Sequence, residues 1–288
     1  MTSGRAEPNP RQRFRAGLRR TLRQRTIVIG GSILLLLVLA AIVGPHVSPY
    51  QPNRLTSAFL KRPSAVHWFG TDNFGRDVLT RVLYGARMSI GIGLTTAVCS
   101  SILGTVLGML AGSSKRFDPI IMRLMDVIMA FPSLLLAMAV LAALGRNAVN
   151  ILIALSIVYT PRTARIVRSS TLSVREEVYI EAARALAIPW WRVLGRHILP
   201  NVLAALIVQA TFVFAYGVLA EAGLSFIGVG IQPPAASLGN MLGDGRSIIR
   251  EAPWMSFFPG GFIFALVMAI NLMGDGLREL FDPRLRKR

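Results

Sequence analysis

One cysteine, Cys99, stands in the 288 residues, and it lies inside an apolar run. That excludes an intrachain disulfide and any cysteine-based metal centre. Histidine is nearly as scarce: His46, His67 and His197 are scattered, without the spacing of a zinc site. Acidic residues number 14 against 32 basic ones, and charged residues make up only 16% of the chain. No G-x-x-x-x-G-K-S/T phosphate loop occurs, so the chain does not hydrolyse nucleotide itself. Asp72, Arg76 and Asp77 lack the residue order of a calcium loop, and a turn followed by a helix cap fits them better. The middles of the apolar runs hold no carboxylate, which an ion-coupled secondary transporter needs at mid-membrane depth. Neither a filter motif nor a ring-forming charge marks a channel. If this chain pumps anything, the energy must come from a partner.

What remains is apolar. Hydrophobic residues make up 53% of the sequence, and the mean hydropathy is +0.53. Several runs approach or exceed the ~20 residues that cross a hydrocarbon core. Six spans are predicted: 27–47, 88–112, 124–144, 148–161, 198–220 and 255–275. The fold class is therefore all-α, a polytopic membrane protein with six transmembrane helices. Pro132 should kink the third span. Gly104 and Gly108 give the second a GxxxG spacing that lets helices approach closely. Eight arginines precede the first run and no small-x-small cleavage site follows it, so residues 1–25 read as a basic tail before a retained span.

The excess of positive charge belongs beside membrane lipids rather than nucleic acid, since no aromatic-interleaved basic patch accompanies it. Lys and Arg divide 23 to 9 between the two sides of the spans. The richer side holds both termini and residues 162–197, and it is assigned to the cytoplasm. Residues 48–87 and 221–254 then face outward.

The 162–197 segment is long for a connector. Ser173-Val174-Arg175-Glu176 fits an S-x-x-E capping box, which predicts a helix over about 174–188 through "EAARALA". Pro189 should end it, and Trp190–Ile198 should form an interfacial helix with aromatic and basic anchors. Ala182, Ala183 and Ala185 thin one flank enough for a second protein to approach, with Glu181 and Arg184 at its edge.

Glu181-Ala182-Ala183, the small Ala187, and Leu199-Pro200 resemble the EAA motif of ABC-importer permeases, EAA-x3-G-x9-I-x-LP. Ala187 stands where that family has Gly, and His197 where it often has Ile. With Gly lost, the turn between the helices is expected to rely on Pro189. "HWFGTDNFGRDVLTRVLYGARMSI" (67–90), "EAGLSFIGVGIQPP" (221–234) and "NLMGDGLRELFDPRLR" (271–286) are similar to the dipeptide/oligopeptide/nickel branch, C-type subunit. The resemblance implies a cytoplasmic coupling-helix loop that docks on an ATPase, with Glu181, Ala182, Ala183, Arg184, Ala187, Leu199 and Pro200 as its coupling residues. It further implies a B-type permease partner, two ATP-binding cassette subunits that bind ATP and Mg, and an extracytoplasmic solute-binding protein. This chain would hold no cofactor and no catalytic residue. The organisation that follows is a tail over 1–25, the first span and outer loop over 26–87, a five-helix permease core over 88–276, and a basic cytoplasmic tail over 277–288. Small peptides are the favoured cargo, with nickel complexes open. The setting is a prokaryotic plasma membrane.

Overall fold

The computed structural model describes residues 24–281. Most of the expected N-terminal tail and the last seven residues of the C-terminal one lie outside that range. Ten α-helices carry the described chain: α1 (Arg25–Val47), α2 (Val78–Ser113), α3 (Asp118–Met129), α4 (Ser133–Leu144), α5 (Ala148–Arg175), α6 (Val178–Ala185), α7 (Trp190–Val193), α8 (Leu199–Phe226), α9 (Leu238–Arg246) and α10 (Trp254–Phe281). A π-helical turn, Leu194–Ile198, joins α7 to α8. Among the described residues the only β-pairing is an isolated bridge between Thr71 and Asp77.

Four helical stretches are long and apolar enough to cross a membrane: α1, α2, Trp190–Phe226 and α10. The α3–α4 pair adds a fifth if counted as one broken span, bent by 92°. Pro132 thus does more than kink its helix. It sits in extended backbone just before α4, where its ring and missing N–H stop the helix from running through. The other long helix, α5, is 28 residues long, or about 42 Å at 1.5 Å per residue. Its second half carries Arg162, Arg165, Arg168 and Arg175, which lowers its apolar character.

Several boundaries differ from the sequence expectation. Pro161 does not end a span; α5 runs through it to Arg175. The reason lies in α2, whose Gly104, Gly108 and Gly112 face Thr163, Ala164, Val167 and Thr171 of α5. A Cβ on Gly108 would lie 2.5 Å from the Ala164 carbonyl oxygen. The two backbones therefore touch, and that packing carries the helix past a proline it would otherwise stop at. The capping box is not formed either. Ser173 lies inside α5, and its hydroxyl donates to the Ser169 carbonyl at 3.2 Å. The next helix is the shorter α6, preceded by Glu177 in extended backbone without a side-chain cap. Trp190–Ile198 is no separate interfacial helix but the first turns of the span that continues as α8.

The two segments expected to face outward close over one end of the bundle. Asp77 caps α2, accepting from the Thr80 amide at 2.8 Å. Asp72 accepts from the Phe74 and Arg76 amides at 2.8 and 2.9 Å, which makes the turn expected there. The Trp254 indole donates to the Thr71 carbonyl at 3.1 Å, and Phe69 stacks on Phe258 at 3.8 Å. Beneath them Val78, Val82, Leu238, Met241 and Met255 form a buried core. Asp244 of α9 lies near Arg76 and Arg81; partial burial pushes its carboxyl above the ordinary value, against the pull of those two arginines.

Candidate functional site

The α6 loop is built by an inner face that anchors it and an outer face that is left bare. On the inner face, Ile180 and Ala183 are buried with Val167 of α5, Val193 of α7, Ile198 and Val202, and Met109 of α2 packs against the same cluster. On the outer face, Val178 is 79% exposed and Leu186 76% exposed, with Ala182 and Ala185 exposed between them. Positions 178, 182 and 185 recur at the i, i+4, i+7 spacing of one helix face. The face is apolar and shallow because its central residues are alanines.

The expected residues divide between these faces. Glu181, Ala182, Arg184 and Ala187 are exposed on α6 or its terminal turn. Ala183 is not; at 5% exposure it belongs to the inner face. Arg184 leans back, its guanidinium 5.2 Å from the Trp190 ring centroid, so it also braces the following helix. Leu199 and Pro200 stand apart, at the root of α8. The Leu199 amide donates to the Leu194 carbonyl, the long bond of the π turn. Pro200 supplies no donor of its own. The Asn201 side chain donates to the His197 carbonyl at 2.6 Å and satisfies the helix there.

Ala187 is the turn. It adopts a left-handed backbone, φ +55°. Its amide donates to the Arg184 carbonyl at 2.9 Å and that of Ile188 to the Ala183 carbonyl at 3.1 Å. These are the paired bonds of a Schellman motif. The break between the helices does not depend on Pro189 alone, contrary to the sequence expectation. Pro189 follows the turn and opens α7 from extended backbone.

The loop is tied to the bundle by ion pairs that sequence reading missed. Arg165 of α5 holds Asp126 of α3 at 2.5 Å. Arg168 grips Asp118 in a fork, its Nε donating to one carboxylate oxygen and a terminal nitrogen to the other. Arg175 donates to the Gly112 and Ser113 carbonyls at 3.3 Å, closing the C-terminal end of α2. The three-residue spacing of Arg162, Arg165 and Arg168 was the available signal. It becomes readable only once α5 is known to continue beyond Pro161.

Residues 104–287 match the family described as binding-protein-dependent transport system inner membrane component. Residues 12–64 match the N-terminal TM domain of oligopeptide transport permease C. A Brucella suis biovar 1 (strain 1330) protein named as a peptide transport system permease is 50% identical over 269 residues, 93% of this chain and 91% of its own. The dipeptide transport system permease protein of Alkalihalophilus pseudofirmus is 42% identical, covering 95% and 90%. In fold, the chain is similar to a subunit of an inward-facing methionine ABC transporter at TM-score 0.56 and 17% identity, over 70% of this chain and 97% of that one.

Proposed function

The chain belongs to the family of binding-protein-dependent transport system inner membrane components, and on that premise we propose that α6 is the coupling helix through which ATPase subunits drive it. The protein is a non-catalytic permease subunit of an ABC importer for peptides. The observation that carries the coupling role is the division of α6 into two faces. Its inner residues Ile180 and Ala183 are locked to α2, α5 and α8. Its outer residues Val178, Ala182, Ala185 and Leu186 are bare. A push on the outer face is therefore delivered to three long helices at once.

In this reading α5 is a sixth span, with both termini and the α6 loop in the cytoplasm. A B-type permease completes the membrane half. Two ATP-binding cassette subunits bind ATP with Mg and dock on α6, and a solute-binding protein delivers cargo to the outer cap formed by residues 48–77 and 227–253. ATPase closure moves α6 toward its counterpart on the other permease, and the spans tilt to open outward. Di- and oligopeptides fit the relatives' names best.

The test is reconstitution of the full complex in vesicles with its binding protein. ATP-dependent peptide uptake is expected. Ala182→Trp fills the shallow face, and Glu181→Lys reverses the charge at its edge. Each should leave the permease pair assembled while cutting ATPase co-purification and uptake by about tenfold or more, the equivalent of ~1.4 kcal/mol. Wild-type co-purification and uptake in both variants would refute the coupling role. Uptake at full rate without ATP would refute the importer reading.

A further inference from the structure

Arg162 lies fourteen residues beyond the start of α5 at Ala148 and thirteen before its end at Arg175. On the reading that α5 enters the membrane at Ala148, 1.5 Å per residue puts Arg162 about 20 Å below that end, still within a hydrocarbon layer ~30 Å thick. The two arginines below it on the same helix, Arg165 and Arg168, are neutralised by Asp126 and Asp118. Arg162 has no carboxylate partner among the described residues, and its side chain is exposed. A guanidinium in that position is too costly to face lipid.

It faces a cavity instead. A space of about 310 Å³ is lined by Arg162, Tyr159 and Tyr216, and by Met129, Phe131 and Ser133 at the break between α3 and α4. The Arg162 guanidinium stands 5.6 Å from the Tyr216 ring centroid, and the Tyr159 and Tyr216 rings stack at 6.3 Å. Tyr216 remains 45% exposed. The backbone at residues 130–132 is unwound beside this cavity. Unwound backbone at membrane depth persists only where protein covers it or water reaches it, and discontinuous helices are where transporters place their substrates.

From this geometry, and resting on the peptide-importer reading above, we propose that Arg162 with Tyr159 and Tyr216 forms a station on the translocation path for the carboxylate of a passing peptide. The guanidinium supplies a forked, permanently charged donor matched to a carboxylate. The aromatic faces hold it in place without neutralising it. Lipid phosphates stay near the helix ends, so the anion that reaches Arg162 comes through the path. A peptide terminus is the anion such an importer carries.

The chain's single cysteine makes the test direct. In the full complex with Cys99→Ala, Ser133→Cys places a thiol on the cavity wall. Its modification by an anionic methanethiosulfonate should be at least about tenfold faster than by a cationic one, since one unit charge nearby is worth that much. Arg162→Gln should abolish this preference, and Arg162→Lys should keep it. Dialanine should slow the labelling, whereas its C-terminal amide should not. Absence of labelling by either reagent, an unchanged preference in Arg162→Gln, or equal protection by the amide would each overturn the station. Loss of the partner permease from Arg162→Gln would overturn it too, since Arg162 would then be an ion pair between subunits. ATP-dependent uptake by the wild-type complex scores the importer reading separately. With uptake present and protection absent, only the station falls. With uptake absent, both fall.

Discussion

Two helices of this chain end in the same turn, α8 at Gly228 with φ +83° and α6 at Ala187 with φ +55°. In α8 the Gly228 and Val229 amides reach back to the Ser225 and Leu224 carbonyls, as those of Ala187 and Ile188 reach back to Arg184 and Ala183. Glycine enters the left-handed region freely; alanine pays about 1–2 kcal/mol for its Cβ. Ala187→Gly is therefore expected to stabilise the α6 loop by about 0.5–1 kcal/mol, part of the relief being returned as unfolded-chain entropy. Ala187→Val should destabilise it by roughly 1–3 kcal/mol. Hydrogen exchange at the Ile188 amide is the readout: protection should rise in the first variant and fall in the second. Equal exchange in all three proteins would show that the turn is not a strained element. The residue that departs from the family motif was visible in sequence, but its conformation was not. A left-handed alanine is held by hydrogen bonds and by burial of Ala183 beneath it, neither of which composition records. The faces of the alanines were likewise hidden: Ala183 lies three residues from Ile180 and shares its buried face, while Ala182 and Ala185 do not.

Between elements, the seam of α2 and α5 decides what was legible. Apolar run length located every long helix, and the Gly104–Gly108 spacing pointed to a close contact. The third glycine, Gly112, continues the row. Its partners were misassigned to a loop, because proline was read as a helix end at Pro161. A neighbouring backbone at van der Waals distance outweighed that local preference. The seam makes opposite predictions for one substitution at two positions of the same helix. Gly108→Ala puts a Cβ 2.5 Å from the Ala164 carbonyl oxygen, and backbone must move. It should cost about 1–3 kcal/mol. Gly91→Ala meets nothing within 4 Å. In the isolated chain in detergent it should be neutral or stabilising by up to about 1 kcal/mol through helix propensity. Thermal unfolding of the two variants side by side checks the pair. A Gly108→Ala protein as stable as wild type would mean that the helices have room to separate.

For the molecule as a whole, the inner and outer ends are built differently. The end that carries α6, inner on the proposed reading, is bound by exposed or partly exposed ion pairs and bears a shallow apolar face. The outer end is bound by a buried network centred on Glu221 of α8, a carboxylate that sequence reading placed at a span end without a role. It is fully buried. The Ser89 hydroxyl of α2 donates to one carboxylate oxygen at 2.5 Å. The Ser225 and Ser237 hydroxyls donate to the other at 2.9 and 2.8 Å. Ser237 also accepts from the Gly239 amide at the start of α9. One side chain thus joins α2, α8 and the segment that crosses the outer face. Sequence reading missed this because Ser89 and Glu221 lie 132 residues apart. Glu221→Ala leaves three buried hydroxyls without their acceptor and should cost roughly 2–4 kcal/mol. Glu221→Gln should cost less: its amide oxygen still accepts two hydroxyls, and its NH2 can donate to the third. The same order should appear in protease cleavage within residues 48–77, fastest in the Ala variant. If that cleavage stayed at the wild-type rate while the whole chain lost stability, the network would be a core contact only. If it rose with the loss of stability, the outer cap moves as one body held through Glu221. On the proposed importer reading, opening would then take place at the faces this chain presents to a partner permease, not by parting its own outer segments.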